Sequence, residues 1–225
     1  MSGAVPPRPW IVLVSDRARL CAAAGQPAIE GLRLLVEQAA AAAAAGVTAF
    51  QVREPDLDTR TLLALVARIA QAAGPRMRVL VNERADVAAA VGVGVHLRTT
   101  SMPAARVRDW QPALAWITQA VHDVSDLARA AGADALIAGT VRATPSKAAS
   151  TPTLGLTGLA RIVTAAPVPV VGIGGLTVGD WPALRQAGAA GLAAIGAFLP
   201  GRGETVGDAV RRAMTGVVDS PGGLS

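Results

Sequence analysis

The 225-residue sequence predicts a single (β/α)8 barrel, and three observations point to it. Short β-branched runs alternate with longer helical patterns, which is typical of a parallel α/β fold. Eight such runs are each followed by a helical pattern, whereas an open doubly wound sheet, the alternative, usually has fewer strands. The length matches one barrel domain of about 200–250 residues. We therefore expect one domain over residues 1–218 and a disordered tail over 219–225.

The predicted elements alternate along the whole chain. The strands are Trp10–Val14, Val47–Val52, Arg78–Val81, Val93–Leu97, Ala115–Gln119, Ala135–Ala138, Val168–Ile173 and Gly191–Ile195. The helices are Pro27–Ala45, Asp58–Ala73, Ala85–Val91, Pro103–Trp110, Val124–Ala131, Leu156–Ala165, Val178–Ala187 and Val206–Met214. The alanine run of the first helix stops at Gly46, which suits a helix end capped by glycine.

The composition favours a large core and excludes several classes of protein. Hydrophobic residues make up 52% of the chain and charged residues 16%, which argues against disorder. Aromatic residues are only 3%, so we expect a core of Ala, Val, Leu and Ile. The net charge of +5 comes from scattered arginines without the basic stripe and stacking aromatics of a nucleic-acid binder.

Cysteine and hydropathy patterns predict a soluble, cytoplasmic protein. Cys21 is the only cysteine, so an internal disulfide and a cysteine-based zinc site are excluded. Residues 1–9 have no apolar signal core, and no run reaches the roughly 18 apolar residues of a membrane span.

Polar residues and glycines collect where the predicted strands end. Because the loops at this end of a barrel carry the chemistry, the convergence itself predicts a site. These residues are Gln51, Arg53 and Glu54 at the end of strand 2, Asn82, Glu83 and Arg84 after strand 3, His96, Arg98 and Ser101 at strand 4, His122 after strand 5, Thr144, Ser146 and Lys147 after strand 6, and Gly174 and Gly175 after strand 7.

Two glycine-containing segments predict a phosphate site. Residues 172–175 follow strand 7, and residues 193–196 end strand 8. Glycine lets backbone N–H groups approach phosphate oxygens, and the loops after strands 7 and 8 are the usual phosphate site of this fold. The alternative is that these glycines only make tight turns. Lys147, the only lysine, lies beside the hydroxyls of Thr144 and Ser146 and suits an anionic oxygen, unless it is a solvated loop residue.

The two histidines are the candidates for proton transfer near neutral pH. His122 lies just beyond strand 5 and is the stronger candidate, whereas His96 within strand 4 is at least as well explained as a packed, hydrogen-bonded residue. The carboxylates of Glu54 and Glu83 are candidates for ion pairs with Arg53 or Arg84.

Taken in order, these motifs resemble the thiamine phosphate synthase and thiazole tautomerase (TenI) superfamily over nearly the whole chain. The resemblance implies a barrel that binds a thiazole phosphate and serves in making or salvaging thiamine. Its motifs here are Val14-Ser15-Asp16, Phe50-Gln51-Val52-Arg53-Glu54, the run from Val81 to Val87, Gly94-Val95-His96-Leu97, Val121-His122, Gly139 to Lys147, Gly155-Leu156, Gly172-Ile173-Gly174-Gly175 and Gly188 to Ala197.

Departures from the synthase pattern favour the tautomerase branch. The resemblance implies that a synthase has a diphosphate-binding lysine where this chain has Pro55. It also implies Mg2+-binding aspartates at the positions of Glu83 and Ser101. A tautomerase needs neither diphosphate nor metal, and its base is a histidine just after strand 5, which His122 matches.

The resemblance therefore implies an aromatising tautomerase of a thiazole carboxylate phosphate, without a cofactor and with His122 as general acid/base. The phosphate would lie on Gly174, Gly175, Ile195 and Gly196, and the remaining substrate contacts would come from Gln51, Arg53, Asn82, Thr144, Ser146, Lys147 and Gly155. One alternative is a divergent synthase, a thiamine-phosphate pyrophosphorylase, which would use Glu83 and Lys147 with Mg2+; Arg98 is a candidate to replace the charge of the lysine that is missing at Pro55. Another is a non-catalytic barrel that binds a thiazole or thiamine phosphate. A homodimer is compatible with the apolar composition.

Overall fold

A closed barrel of parallel strands forms the centre of the molecule. The computed structural model describes residues 9–144 and 152–218. Within these ranges eight strands pair in chain order, and the first pairs with both the second and the eighth. The predicted (β/α)8 barrel is confirmed, and the open-sheet alternative is wrong. Residues 219–225, predicted to be disordered, lie outside the described part.

The strands match the prediction closely, with small shifts at their ends. The first strand was predicted at both ends, whereas the fifth begins two residues later than expected. The strands are β1 Trp10–Val14, β2 Ala49–Val52, β3 Arg78–Asn82, β4 Gly94–Leu97, β5 Ile117–Val121, β6 Ala135–Gly139, β7 Val170–Ile173 and β8 Gly191–Ala194.

Eight α-helices surround the barrel in the described part of the chain. They are α1 Arg17–Ala24, α2 Gly31–Ala44, α3 Thr59–Ala73, α4 Ala85–Val91, α5 Ala104–Trp110, α6 Gly155–Ala165, α7 Trp181–Gln186 and α8 Val206–Val218. The α-helix predicted after β5 is instead a short 3-10 helix, Val124–Ala128. None of the described helices is both long and apolar enough to cross a membrane.

Helix α1 is the element that the sequence analysis missed. The Asp16 carboxylate accepts a hydrogen bond from the Arg19 backbone N–H at 3.0 Å and caps its first turn. Gly25 ends the helix in the left-handed conformation, φ 63°. Only Leu20 and Cys21 are buried, so the helix has too narrow an apolar face for a periodic pattern. It nevertheless carries a cationic side chain to the barrel mouth.

The core has two parts, one between strands and helices and one inside the barrel. The outer part is the aliphatic core that the composition predicts. The inner part differs at its lower end, the amino-terminal end of the strands, where Trp10 and Trp116 meet edge to face at 5.7 Å. The Arg78 guanidinium lies 3.7 Å from the centre of the Trp116 ring. Large rings therefore fill the barrel at the end opposite the predicted site.

Candidate active site

A cavity of about 760 Å³ opens at the carboxyl ends of the strands. This volume lies within the range of about 300–1,000 Å³ that is usual for small-molecule sites. Nine of the residues predicted for catalysis or substrate contact line it, namely Gln51, Arg53, Asn82, His122, Thr144, Gly174, Gly175, Ile195 and Gly196. The closed barrel thus brings together residues that are up to 145 positions apart in the chain.

Three further predicted site residues are not among the described residues that line the cavity. Gly155 begins α6, donates its N–H to the Val141 carbonyl at 3.0 Å and is not part of the cavity wall. Its left-handed φ of 61° is a conformation that glycine adopts without strain, so glycine suits the start of this helix. Ser146 and Lys147 lie outside the described residues.

Two side-chain amides hold each other at the ends of β2 and β3. The Gln51 Nε2 donates to the Asn82 Oδ1 at 3.1 Å. Gln51 is buried, so this bond fixes its orientation as well as satisfying a polar group away from water. The pair forms a rigid, neutral part of the cavity wall.

His96 is a buried, neutral part of the same wall. Its Nδ1 lies 2.9 Å from the Thr118 hydroxyl. Burial lowers the pKa of His96 to about 4; the Arg53 charge acts in the same direction, while the Glu83 carboxylate opposes it. The imidazole is therefore uncharged at neutral pH, in agreement with the interpretation of a packed, hydrogen-bonded histidine.

Hydrogen bonds of the ring and of the backbone fix the orientation of His122. Its Nδ1 makes a short hydrogen bond with the Gly139 carbonyl, and its backbone N–H donates to the Asp126 carboxylate at 2.6 Å. Because a carbonyl only accepts, Nδ1 carries the hydrogen and Nε2 of the neutral ring has the free lone pair. The ring lines the cavity, so this arrangement suits a group that accepts a proton or a hydrogen bond from a substrate.

The ion pair predicted for Glu54 has a different partner. Glu54 accepts hydrogen bonds from the Ser15 hydroxyl at 2.6 Å and from the Arg17 backbone N–H at 3.1 Å, and the Arg17 guanidinium lies 3.9 Å away. Burial raises the pKa of Glu54, against the effect of these partners. The prediction of Arg53 or Arg84 was wrong because the barrel places the loop after β1 directly beside β2. Glu54 joins these loops outside the cavity.

Glu83 also pairs with a residue other than the predicted ones. The Arg98 guanidinium lies 2.5 Å from one carboxylate oxygen, and the Ser101 hydroxyl donates to the other at 2.9 Å. Arg84 pairs with Asp86 instead. Glu83 has a φ of 63°, the left-handed conformation that non-glycine residues rarely adopt. The loops after β3 and β4 are therefore joined through a strained, charge-paired residue.

The donor groups at this position match Mg2+ poorly. Magnesium prefers carboxylate and phosphate oxygens, and the charge of Glu83 is already neutralised by Arg98. Ser101 adds no charge. In the ranges 9–144 and 152–218, no three histidine, cysteine or acidic side chains come together as a metal site.

The glycines after β7 have a packing requirement of their own. Gly174 and Gly175 have φ values of 105° and 61°. A Cβ on Gly174 would lie 2.5 Å from the Thr140 Cγ2, and one on Gly175 would lie 2.3 Å from the Ala143 carbonyl oxygen. Glycine is thus required for the loop after β7 to pack against the loop after β6, in addition to any phosphate contact.

Two arginines that the sequence analysis did not select also line the cavity. Arg19 comes from α1 and Arg212 from α8. Arg212 is paired with Glu204, at 2.8 and 3.0 Å, and donates to the Leu199 carbonyl. No local motif marks these helical residues, because they reach the mouth only when β8 closes against β1.

Comparison with known proteins places the chain in a family. Residues 20–198 match the sequence profile of the family described as thiamine monophosphate synthase, TMP-TENI. The chain belongs to this family. The thiamine-phosphate synthase of Albidiferax ferrireducens is 39% identical over 172 residues, which cover 75% of this chain and 78% of the relative. That of Anaeromyxobacter dehalogenans is 40% identical over 167 residues, which cover 73% and 75%.

A solved structure agrees with these sequence matches. The thiamine phosphate pyrophosphorylase from Pyrococcus furiosus has a TM-score of 0.75 at 28% identity, covering 92% of this chain and 94% of that one. The predicted superfamily is therefore confirmed. The preference for its tautomerase branch is not supported, because these relatives carry the name of the synthase.

Proposed function

We propose that the chain is a thiamine-phosphate synthase. The thiazole nitrogen would attack the methylene carbon of a pyrimidine methyl diphosphate. A C–N bond forms, the C–O bond to the diphosphate breaks, and the diphosphate leaves with the electron pair. The observation that carries the proposal is the 39% identity to a thiamine-phosphate synthase over three quarters of the chain. The cavity of about 760 Å³ is also large enough for two small substrates.

The leaving diphosphate would lie on the β2 and β4 side of the cavity. Arg53 and Arg98 line that side, and their guanidinium groups suit phosphate oxygens in a bidentate geometry. Stabilising the charge that develops on the departing diphosphate is the main contribution that the protein can make to this reaction. Arg98 would thereby supply the positive charge that the family's lysine provides where this chain has Pro55.

The thiazole phosphate would lie on the opposite side of the mouth. Its phosphate would contact Gly174, Gly175, Ile195 and Gly196, since loops after strands 7 and 8 commonly bind phosphate in this fold. Gln51, Asn82 and Thr144 would orient the two rings. We include Ser146 and Lys147 among the substrate contacts on the basis of the sequence alone.

The resemblance implies Mg2+ for a synthase, but the Glu83 cluster suits it poorly. The mechanism proposed for this chain therefore uses its arginines, and no step depends on a metal. We expect Glu83 to position Arg98 and to keep it from folding away from the cavity.

The test is direct turnover. Purified protein is incubated with the pyrimidine methyl diphosphate and thiazole phosphate, with Mg2+ in one series and EDTA in another. Thiamine phosphate is followed as its oxidised fluorescent product. Product in both series is the expected result, because no step of the proposed mechanism depends on a metal, and Arg98→Ala should reduce it; product with Mg2+ only would keep the synthase and reject the metal-free mechanism. Arg33→Ala, which removes an exposed arginine of α2, is the control. No product, while a known synthase is active in parallel, would refute the proposal.

A second candidate is the aromatising thiazole tautomerase, and the His122 ring favours it. Its free Nε2 could remove a proton from the thiazole carboxylate phosphate and return it at a neighbouring atom, without net change in atoms or electrons. His122→Ala should then lower the aromatisation rate by about 10²–10⁴-fold without unfolding the protein. An unchanged rate would remove His122 from that role. Tight binding of thiazole phosphate without turnover in either assay would instead support the non-catalytic barrel.

A further inference from the structure

We propose that Arg19 binds the phosphate group of the thiazole substrate and completes the phosphate site at the glycine loops. The proposal rests on the proposed function only in taking the ligand to be a thiazole phosphate. It applies equally to the synthase and to the tautomerase, because both substrates carry this group. It also assigns a binding residue to α1, an element outside the predicted site.

The position of Arg19 leads to this proposal. The residue lies in the first turn of α1, where the Asp16 carboxylate fixes the helix start by accepting the Arg19 backbone N–H. The side chain is half-buried and lines the cavity. One guanidinium nitrogen lies 3.5 Å from where a Cβ on Gly196 would be. Arg19 therefore faces the loop after β8 that is already a candidate for phosphate binding.

Neighbouring arginine side chains are committed to protein anions, whereas the Arg19 guanidinium has no such partner within the described residues. Arg17 pairs with Glu54 and Asp56, and Arg212 pairs with Glu204. No ion pair of Arg19 occurs in the ranges that the structure describes. A half-buried cation that faces a cavity without a protein anion is suited to an anion of the ligand.

The chemistry of the two partners matches. A phosphate monoester carries between one and two negative charges at neutral pH and presents three acceptor oxygens. The guanidinium is always charged and offers a planar fork of donors, whereas glycine N–H groups contribute only dipoles. Because Gly196 has no side chain, the path between Arg19 and the backbone of the β8 loop stays open. Arg19 should therefore make the site selective for the phosphorylated thiazole over the free alcohol.

The experiment measures binding of two ligands by calorimetry, namely hydroxyethylthiazole phosphate and the same compound without its phosphate. The variants are Arg19→Gln and Arg19→Lys. Arg33→Ala is the matched control, since it removes one positive charge from an exposed face of α2. Circular dichroism and the melting temperature verify that each variant is folded.

We expect Arg19→Gln to weaken binding of the phosphorylated ligand by about 10–100-fold, the range for a charge-assisted hydrogen bond. Binding of the alcohol should change by less than about twofold, and Arg19→Lys should restore part of the loss because it keeps the charge but not the fork. Arg33→Ala should match the wild type for both ligands.

Three results would overturn the assignment. They are unchanged binding of the phosphate ligand in Arg19→Gln, an equal loss for both ligands, and a wild-type protein that does not prefer the phosphorylated compound. The proposed reaction is judged separately from turnover. Arg19-dependent binding without turnover would keep this inference and reject the reaction, and normal turnover with an unchanged KM in Arg19→Gln would do the reverse.

Discussion

The two ends of the barrel interior are built from the same strands but filled in opposite ways. At the lower end, two of the four tryptophans and the stem of Arg78 leave a space of only about 20 Å³. At the mouth, small side chains such as Ala120 and Ala193 leave about 760 Å³. Side-chain volume thus decides which end is filled and which is open. We call the filled end, with Trp10, Arg78 and Trp116, the tryptophan plug. We expect substitutions at the lower end to change stability and substitutions at the mouth to change binding.

The largest effect should come from removing a ring of the plug. Trp116 is 8% exposed and contacts both Trp10 and Arg78. Trp116→Ala should lower the free energy of unfolding by about 3–5 kcal/mol, the usual loss for a large buried aromatic residue. Urea denaturation measures the loss, and kcat/KM of the protein that remains folded should stay near the wild-type value. A large fall in kcat/KM with little loss of stability would show that the two ends are coupled.

The next largest effect on the free energy of unfolding should come from the titration of His96. This residue lines the cavity, and its hydrogen bond to Thr118 connects the mouth to the lower half of the interior. The unfolded chain binds a proton with a pKa near 6.5, whereas the folded imidazole does so only near pKa 4. Between these pH values the unfolded state therefore holds more protons, and the free energy of unfolding rises with pH. The rise is as much as about 3 kcal/mol and is complete above pH 6.5.

His96→Gln is the control for this pH dependence. It keeps a polar group near Thr118 but cannot titrate, so its free energy of unfolding should rise less steeply between pH 4 and 6.5. The difference between the two denaturation series isolates the histidine from the carboxylates. Parallel curves would mean that the folded His96 titrates at an ordinary pKa.

One substitution made at both ends tests the comparison itself. Ala120→Leu adds volume at the mouth and should lower kcat/KM by about 10–100-fold, equivalent to about 1.4–2.8 kcal/mol, with little change in stability. Ala135→Leu adds the same volume to the packed lower half and should instead cost about 1–3 kcal/mol of stability. Activity assays and urea denaturation of both variants distinguish the outcomes. If both variants lost activity and stability to the same extent, the distinction between the tryptophan plug and the cavity would be wrong.

The smallest effect should come from the cation over the lower ring. Arg78→Met keeps an apolar stem but removes the charge above Trp116, which should cost about 1 kcal/mol. Thermal denaturation at low and high salt measures this loss. Because burial lowers the pKa of Arg78 despite the nearby Asp134 charge, part of the lost attraction is offset by the desolvation that the variant avoids. A stabilised variant would mean that desolvation outweighs the contact with the ring.

The fold could be predicted from the sequence because its signals are local and repeated. Runs such as Trp10–Val14 are wholly buried, and their alternation with helices specifies a parallel sheet. Helix α1 could not be predicted, because only Leu20 and Cys21 mark its buried side. The 3-10 helix after β5 was mistaken for an α-helix because a single turn and the start of a longer helix look alike in sequence.

Site residues at the ends of strands could be predicted from the sequence, whereas contacts that form only when the barrel closes could not. Gln51 and Asn82 lie near the ends of β2 and β3, His122 directly follows β5, and all three line the cavity. The ion partners of Glu54 and Glu83 come from neighbouring loops, so the predicted local partners were wrong. The preference for the tautomerase rested on single departures such as Pro55, which weigh less than identity over most of the chain.

The tryptophan plug has a consequence for how this chain can diverge. Since the rigid end lies away from the cavity, mutations can accumulate in the mouth without exhausting the stability that keeps the protein folded. Such a scaffold suits the exchange of one reaction for another. In directed evolution, the cavity could be changed by single substitutions at small residues such as Ala120 and Ala193.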